Sequence, residues 1–117
     1  RCTYTDPEIA SVGYTSSNYP QDRDVKIGRF NFNANAKAII LGDTAGFVEV
    51  LRDVVTDDII GVSIIGAHAT DMIAEMSDAM YLDASATEIG DAVHPHPSLS
   101  EAIQEATLDT HKIAIHK

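Results

Sequence analysis

The segment "GFVEVLRDVVTDDIIGVSIIG", Gly46–Gly66, carries the strongest local signal in the chain. Two runs rich in β-branched residues flank the polar triplet Thr56-Asp57-Asp58. Such runs around a short polar turn predict an antiparallel hairpin. The second run, Ile59–Ile65, is apolar nearly throughout. That predicts a central strand covered on both faces. Upstream, "DPEIASVGYT" (Asp6–Thr15) reads as a strand bounded by Pro7 and Gly13, and Ser16–Asp22 has loop composition. Val25–Phe32 alternates, with Val25, Ile27, Arg29 and Asn31 on one side and Lys26, Gly28, Phe30 and Phe32 on the other. Its expected state is a strand, although neither face is cleanly apolar. Ala34–Gly42 reads as a short helix ending at Gly42.

Downstream the period changes. Met72, Ile73, Met76, Ala79 and Met80 recur at helical spacing, predicting a helix over Thr70–Leu82 whose methionines fill a core or a packing interface. A short helical turn is expected around Thr87–Asp91. A last helix is expected from about Ser98, with Leu99, Ala102, Ile103 and Ala106 as its apolar stripe. Strands followed by helices imply an α+β fold, an antiparallel sheet with helices packed on one face.

The chain of 117 residues suits one domain, and 44% apolar residues can supply its core. The net charge is −10, with 18 acidic residues scattered against 8 basic ones. Nucleic acid and anionic membranes both require clustered Lys and Arg, so neither is expected as a partner. No apolar run approaches the ~18 residues of a transmembrane helix, and no charged-then-apolar signal segment opens the chain. A cytoplasmic protein is the simplest expectation. The lone Cys2 has no cysteine in this chain to pair with, and no phosphate-binding glycine loop or nucleophile elbow is present. The chain opens at Arg1 and runs directly into strand-like sequence, which suggests a piece of something larger.

The richest stretch chemically is "VHPHPSLSEAIQEA", Val93–Ala106. It supports three readings. Ser98-Leu99-Ser100-Glu101 fits the S-x-x-E capping box, in which Ser98 accepts from the Glu101 N–H and the Glu101 carboxylate reaches back to the Ser98 N–H. His94 and His96, two residues apart in an extended segment, point the same way and could share a metal ion, but no third ligand sits at a usual offset. Finally, His96 could exchange a proton near neutral pH, with Glu101 folded back to fix its tautomer. That reading needs a substrate and an electrophile that the chain does not itself supply. His68, His111 and His116 are isolated and read as surface or packing residues.

"HPHPSLSEAIQEA" resembles the C-terminal signature of the dihydrolipoamide dehydrogenases, H-x-H-P-T-L-S-E-A. "YTDPEIASVGYT", "GRFNFNANAKAIILGDTAGFVEVL" and "DDIIGVSIIGAHATDMIAEMSDAM" resemble successive parts of that family's interface domain. The resemblance runs in register from about Thr3 to Ala106. Disulfide reductases of the glutathione type share the His-Pro and a nearby glutamate but read more like HPTSSEE; an interface domain of that type is the alternative within the class, and the run Leu99-Ser100-Glu101-Ala102 favours the lipoamide enzyme. The resemblance implies that residues 1–117 form the interface, or dimerisation, domain of a homodimeric flavoprotein. The FAD- and NAD-binding domains and the redox-active cysteine pair would lie outside this chain. FAD and NAD would serve the complete enzyme, with none bound to this chain alone, which would be inactive by itself. The partners implied are a second subunit and the dihydrolipoyl groups of 2-oxo acid dehydrogenase complexes.

His96 and Glu101 are the catalytic pair so implied, His96 serving the other subunit's active site. The His96–Pro97 peptide is implied to be cis, with its backbone near the partner's flavin, and His94 is implied to support the site. Pro95 stands where many members have alanine, and Asp71 where glutamate is usual. The tail Thr110–Lys117 matches no motif of the resemblance. Two readings from other classes remain open on the residues alone: a stand-alone dimerisation module, and a metal-binding protein using His94 and His96.

Overall fold

The computed structural model describes residues 1–117. A five-stranded, wholly antiparallel sheet is built from β1 (Cys2–Thr3), β2 (Glu8–Gly13), β3 (Val25–Asn31), β4 (Phe47–Asp53) and β5 (Ile59–Gly66). Its spatial order is β1-β2-β5-β4-β3. The helices are α1 (Ala36–Leu41), α2 (Ala69–Tyr81), α3 (Ala86–Asp91) and α4 (Glu101–Asp109), with a 3₁₀ turn at Phe32–Ala34. The α+β class holds, and α2 and α4 lie on one face of the sheet.

The Gly46–Gly66 hairpin forms, but its connection is longer than Thr56–Asp58. The Asp53 carboxylate accepts hydrogen bonds from the amides of Val55 (2.9 Å) and Thr56 (3.3 Å). This side chain draws Val54 and Val55 out of the strand and into the turn. Val55 is exposed there, and Asp57 turns the chain with φ 64°. β5 is central, as its apolar run suggests, yet helices cover one face only. Ala10, Val48, Val50, Val62 and Ile64 point to the helices and are fully buried. On the reverse face Gly61 is buried against the Tyr14 backbone, whereas Ser63 and Ile65 are only half-buried, with no helix over them. The apolar run therefore overstates the cover that this chain itself provides.

The start of α1 falls later than Ala34 because Asn35 caps it, accepting from the Ala38 amide at 3.0 Å. Gly42 ends α1 in the left-handed region, φ 69°, as its position implies. The α2 stripe is core: Met72, Ile73, Met76 and Ala79 are buried. α3 carries a complete capping box, Ser85 with Glu88. α4 buries Ala102, Ile103 and Ala106, and Leu99 packs against the same cluster.

One close approach fixes where α4 lies. A Cβ on Gly28 of β3 would sit 2.1 Å from the Ala106 carbonyl oxygen. Only a residue without a side chain lets the helix backbone come this near the sheet. β3 therefore determines the height at which α4 presents its first turn, where Glu101 stands.

Candidate functional site

Between α3 and α4 the chain runs through Ala92–Pro97 without regular structure, bending at His96 and Pro97. Pro95 and Pro97 hold the residues before them out of the helical region. The two prolines also have no N–H to donate. Residues 93–97 make no backbone–backbone hydrogen bond, so side chains hold this segment in place. Gln104 of α4 donates to the carbonyls of Gly90 (3.0 Å) and Ala92 (2.9 Å). Asn35 donates to the Ser98 carbonyl at 3.0 Å. The His96–Pro97 peptide is cis, as is Asp6–Pro7.

The expected capping box is only half formed. The Ser98 amide donates to Glu101 Oε2 at 2.9 Å, but the buried Ser98 hydroxyl has no partner. α4 starts at Glu101 with Ser100 as its N-cap, and its first turn is satisfied by backbone bonds from Ala102 to Leu99 (3.0 Å) and from Ile103 to Ser100 (2.9 Å). The serine that local sequence offers as a cap thus lies two residues before the N-cap that forms.

Glu101 bridges the helix and the segment before it. Its Oε2 accepts the Ser98 amide and its Oε1 lies 2.8 Å from His96 Nδ1. Burial alone would raise the Glu101 pKa, but the Ser98 N–H and the His96 ring, helped by the charges of His96 and His116, hold it below the usual value. A carboxylate accepts, so His96 Nδ1 carries the proton. Nε2 then presents its lone pair, and it has no hydrogen-bond partner in the chain. The His96 side chain is 71% exposed, against 21% for Glu101. The arrangement is an imidazole oriented by a half-buried carboxylate, with its free nitrogen facing outward.

His94 lies two residues away and points inward, 6% exposed. Its Nε2 is 2.7 Å from Glu75 Oε1 on α2, and its Nδ1 is 2.9 Å from the Ala92 carbonyl. Hydrogen bonding to Glu75 outweighs burial and holds its pKa above the usual histidine value. With both His94 nitrogens so engaged, and His96 Nδ1 on Glu101, the two rings do not form the shared metal pair. Nowhere do three His, Cys, Asp or Glu side chains converge as a metal centre.

The tail, to which the sequence assigned no role, is docked along α4. Glu105 Oε2 accepts the amides of Ile115 (2.9 Å) and His116 (3.0 Å), and its Oε1 lies 3.0 Å from His116 Nδ1. Lys117 pairs with Asp109, and His111 Nε2 lies 3.0 Å from Asp57 Oδ1. Ile115 and His116 thereby wall a cleft of about 110 Å³ shared with Phe30, Ala36, His96 and Glu101. One signal was available in the sequence. Glu101, Glu105 and Asp109 stand four residues apart on a helix that is otherwise core-facing, so each carboxylate required a partner. Asp71 is exposed in the first turn of α2, 3.6 Å from His68. Cys2 is exposed in β1.

The chain thus joins an antiparallel sheet backed by helices to an outward-facing His–Glu pair between α3 and α4. Residues 1–107 match the family described as the pyridine nucleotide-disulphide oxidoreductase dimerisation domain, and the chain belongs to that family. Over 117 residues it is 50% identical to a dihydrolipoyl dehydrogenase of Bacillus subtilis, covering 99% of this chain and 25% of that protein. It is 46% identical over 110 residues to the dihydrolipoyl dehydrogenase of Cupriavidus necator, covering 93% of this chain and 23% of that protein. Among solved structures, LpdA of Mycobacterium tuberculosis superposes with a TM-score of 0.80 at 26% identity, covering 92% of this chain and 24% of that one. The chain thus spans about a quarter of the length of the relatives it matches.

Proposed function

We propose that this domain serves a flavin-dependent dihydrolipoamide dehydrogenase, in which His96 is the acid–base residue and Glu101 the carboxylate that orients it. One observation supports this most directly: His96 Nδ1 is held on Glu101 at 2.8 Å, in a side chain that is otherwise exposed. Outward presentation suits a base that works on a neighbouring subunit, and the homologous family is a dimerisation domain. In the homodimer, His96 Nε2 accepts the proton of a dihydrolipoyl thiol, leaving the thiolate that is the nucleophile in disulfide exchange. Glu101 stabilises the resulting imidazolium and keeps Nε2 aimed outward. Overall the dithiol and NAD⁺ give the disulfide, NADH and one proton: the two electrons and one of the two thiol protons make up the hydride on NAD⁺, and the other proton leaves to solvent, with His96 taking up the first thiol proton as the thiolate forms. FAD, when bound by the parent enzyme, supplies the two-electron relay between the disulfide centre and NAD.

The residues present fit that group only as an edge contact. The cleft beside His96 is smaller than the roughly 300–1,000 Å³ of a cofactor pocket. The exposed His96–Pro97 backbone, whose His96 carbonyl has no partner in the chain, is free to meet a ring edge. Exposed apolar side chains such as Val93, Tyr81 and Leu82 are of the kind that a subunit interface covers. The dihydrolipoyl groups come to this site from the 2-oxo acid dehydrogenase complexes that the parent enzyme serves.

The test is His96→Gln in the complete parent enzyme. Dihydrolipoamide oxidation should fall by about 10²–10⁴-fold with flavin content unchanged; unchanged turnover overturns the assignment. Purified residues 1–117 should be colourless and should not reduce NAD⁺ with dihydrolipoamide.

A further inference from the structure

We propose that His94 is held as an imidazolium and acts as the positioning residue that determines where His96 stands. The inference deepens the proposed role of His96, but its geometry is independent of that role. Both ring nitrogens of His94 face atoms that can only accept: the Ala92 carbonyl at 2.9 Å and the Glu75 carboxylate at 2.7 Å. A neutral imidazole has one N–H and would leave one of these contacts as lone pair against lone pair. Only the doubly protonated ring satisfies both. The Ala92 carbonyl belongs to the C-cap of α3, where the helix dipole also favours a cation. The charged groups that face the ring are Glu75 from α2 and Glu101 from α4, both negative and both favouring its protonated form. Gln104, also from α4, shares the Ala92 carbonyl and brings no charge.

The consequence for His96 follows from what else holds the segment. Residues 93–97 lack backbone hydrogen bonds. Within those five residues, only His94 and His96 reach out to other elements, to Glu75 and Glu101 respectively. His94, 6% exposed, is the buried anchor, and it ties the segment to α2. His96, two residues further on, is thereby delivered to Glu101 on α4 with Nε2 outward. Freed from Glu75, the segment would retain no tie to α2, and the exposed His96 ring would lose its single orientation.

The experiment is a pH titration of residues 1–117 with ¹⁵N-labelled histidine, following both ring nitrogens of each imidazole. In the unaltered chain His94 should stay doubly protonated through neutral pH, and neutral His96 should appear as one tautomer, with the proton on Nδ1. Glu75→Gln should lower the His94 midpoint by about one pH unit and turn His96 into a mixture of tautomers. Glu75→Asp should restore both signatures in part. A His94 midpoint near the ordinary ~6.5 in the unaltered chain overturns the imidazolium. An unmoved His96 tautomer in a folded Glu75→Gln chain overturns the positioning role. If Glu75→Gln does not fold, the unaltered chain still decides the charge state, and His94→Gln supplies the tautomer readout. Should His96→Gln leave the parent enzyme's turnover unchanged, the functional reading falls while these titrations stand.

Discussion

His94 and His96 are two positions apart, and they occupy opposite environments. Each touches a glutamate, at 2.7 and 2.8 Å. His94 is 6% exposed with both nitrogens engaged; His96 is 71% exposed with Nε2 free. The first is the charged fastener proposed above, and the second presents an open lone pair to solvent. What separates them is not residue type or the partner carboxylate but the number of acceptors each ring meets. An imidazole becomes a usable base only when one nitrogen is left without a partner.

The largest effect that separates the two concerns rate. In the complete enzyme His96→Gln should cost about 10²–10⁴-fold in dihydrolipoamide oxidation. Glu101→Gln should cost less, about 10²-fold, because the amide still occupies the space beside Nδ1 but no longer supports the imidazolium. Steady-state kinetics across pH would show the difference, and equal losses would mean that Glu101 does more than orient.

Next in size is a contrast between the site and its foundation. Ile103→Ala, on α4 between Glu101 and Glu105, removes a fully buried side chain and should cost about 2–5 kcal/mol in chemical denaturation. It should leave the His96 tautomer unchanged in the protein that remains folded. A changed tautomer would show that the pair depends on core packing rather than on its local hydrogen bonds.

Smaller again is the dependence of stability on pH, and it has opposite signs for the two pairs. His94 has a raised folded-state pKa, so its contribution is fully present below the unfolded value of ~6.5 and is lost as pH rises through the folded one. Glu101 has a lowered one, so its contribution is present above the unfolded value of ~4.3 and is lost as pH falls through the folded one. The stability gap between the unaltered chain and His94→Gln should therefore narrow from pH 6 to pH 9. The gap to Glu101→Gln should narrow from pH 6 to pH 3. Thermal melts at these pH values measure both, and gaps that do not change with pH would remove the electrostatic account.

Much of the fold was legible because burial leaves a period in the sequence. The hairpin, the α2 methionine stripe and the α4 stripe each appear where their apolar spacing places them. Errors arose where a side chain outcompeted a propensity: Asp53 captured the amides of Val55 and Thr56, and Asn35 delayed α1. The reverse face of β5 misled for a different reason, since the apolar run does not say whether this chain supplies the cover. At the site, His96 and Glu101 were legible through their resemblance to a family motif. The docked tail was not, because Glu105 and His116 are 11 residues apart and meet only once α4 has ended and the chain has turned back.

The sequence by itself therefore determined which residues are apolar, with what period, and which histidine lies five residues before a glutamate. Periodicity and short spacings are local, so they survive without coordinates. Tertiary structure alone decided that Gly28 lets α4 approach β3, that Glu75 reaches His94, and that one histidine faces in while the other faces out. Those outcomes depend on contacts between elements, where distance along the chain carries no information about distance in space.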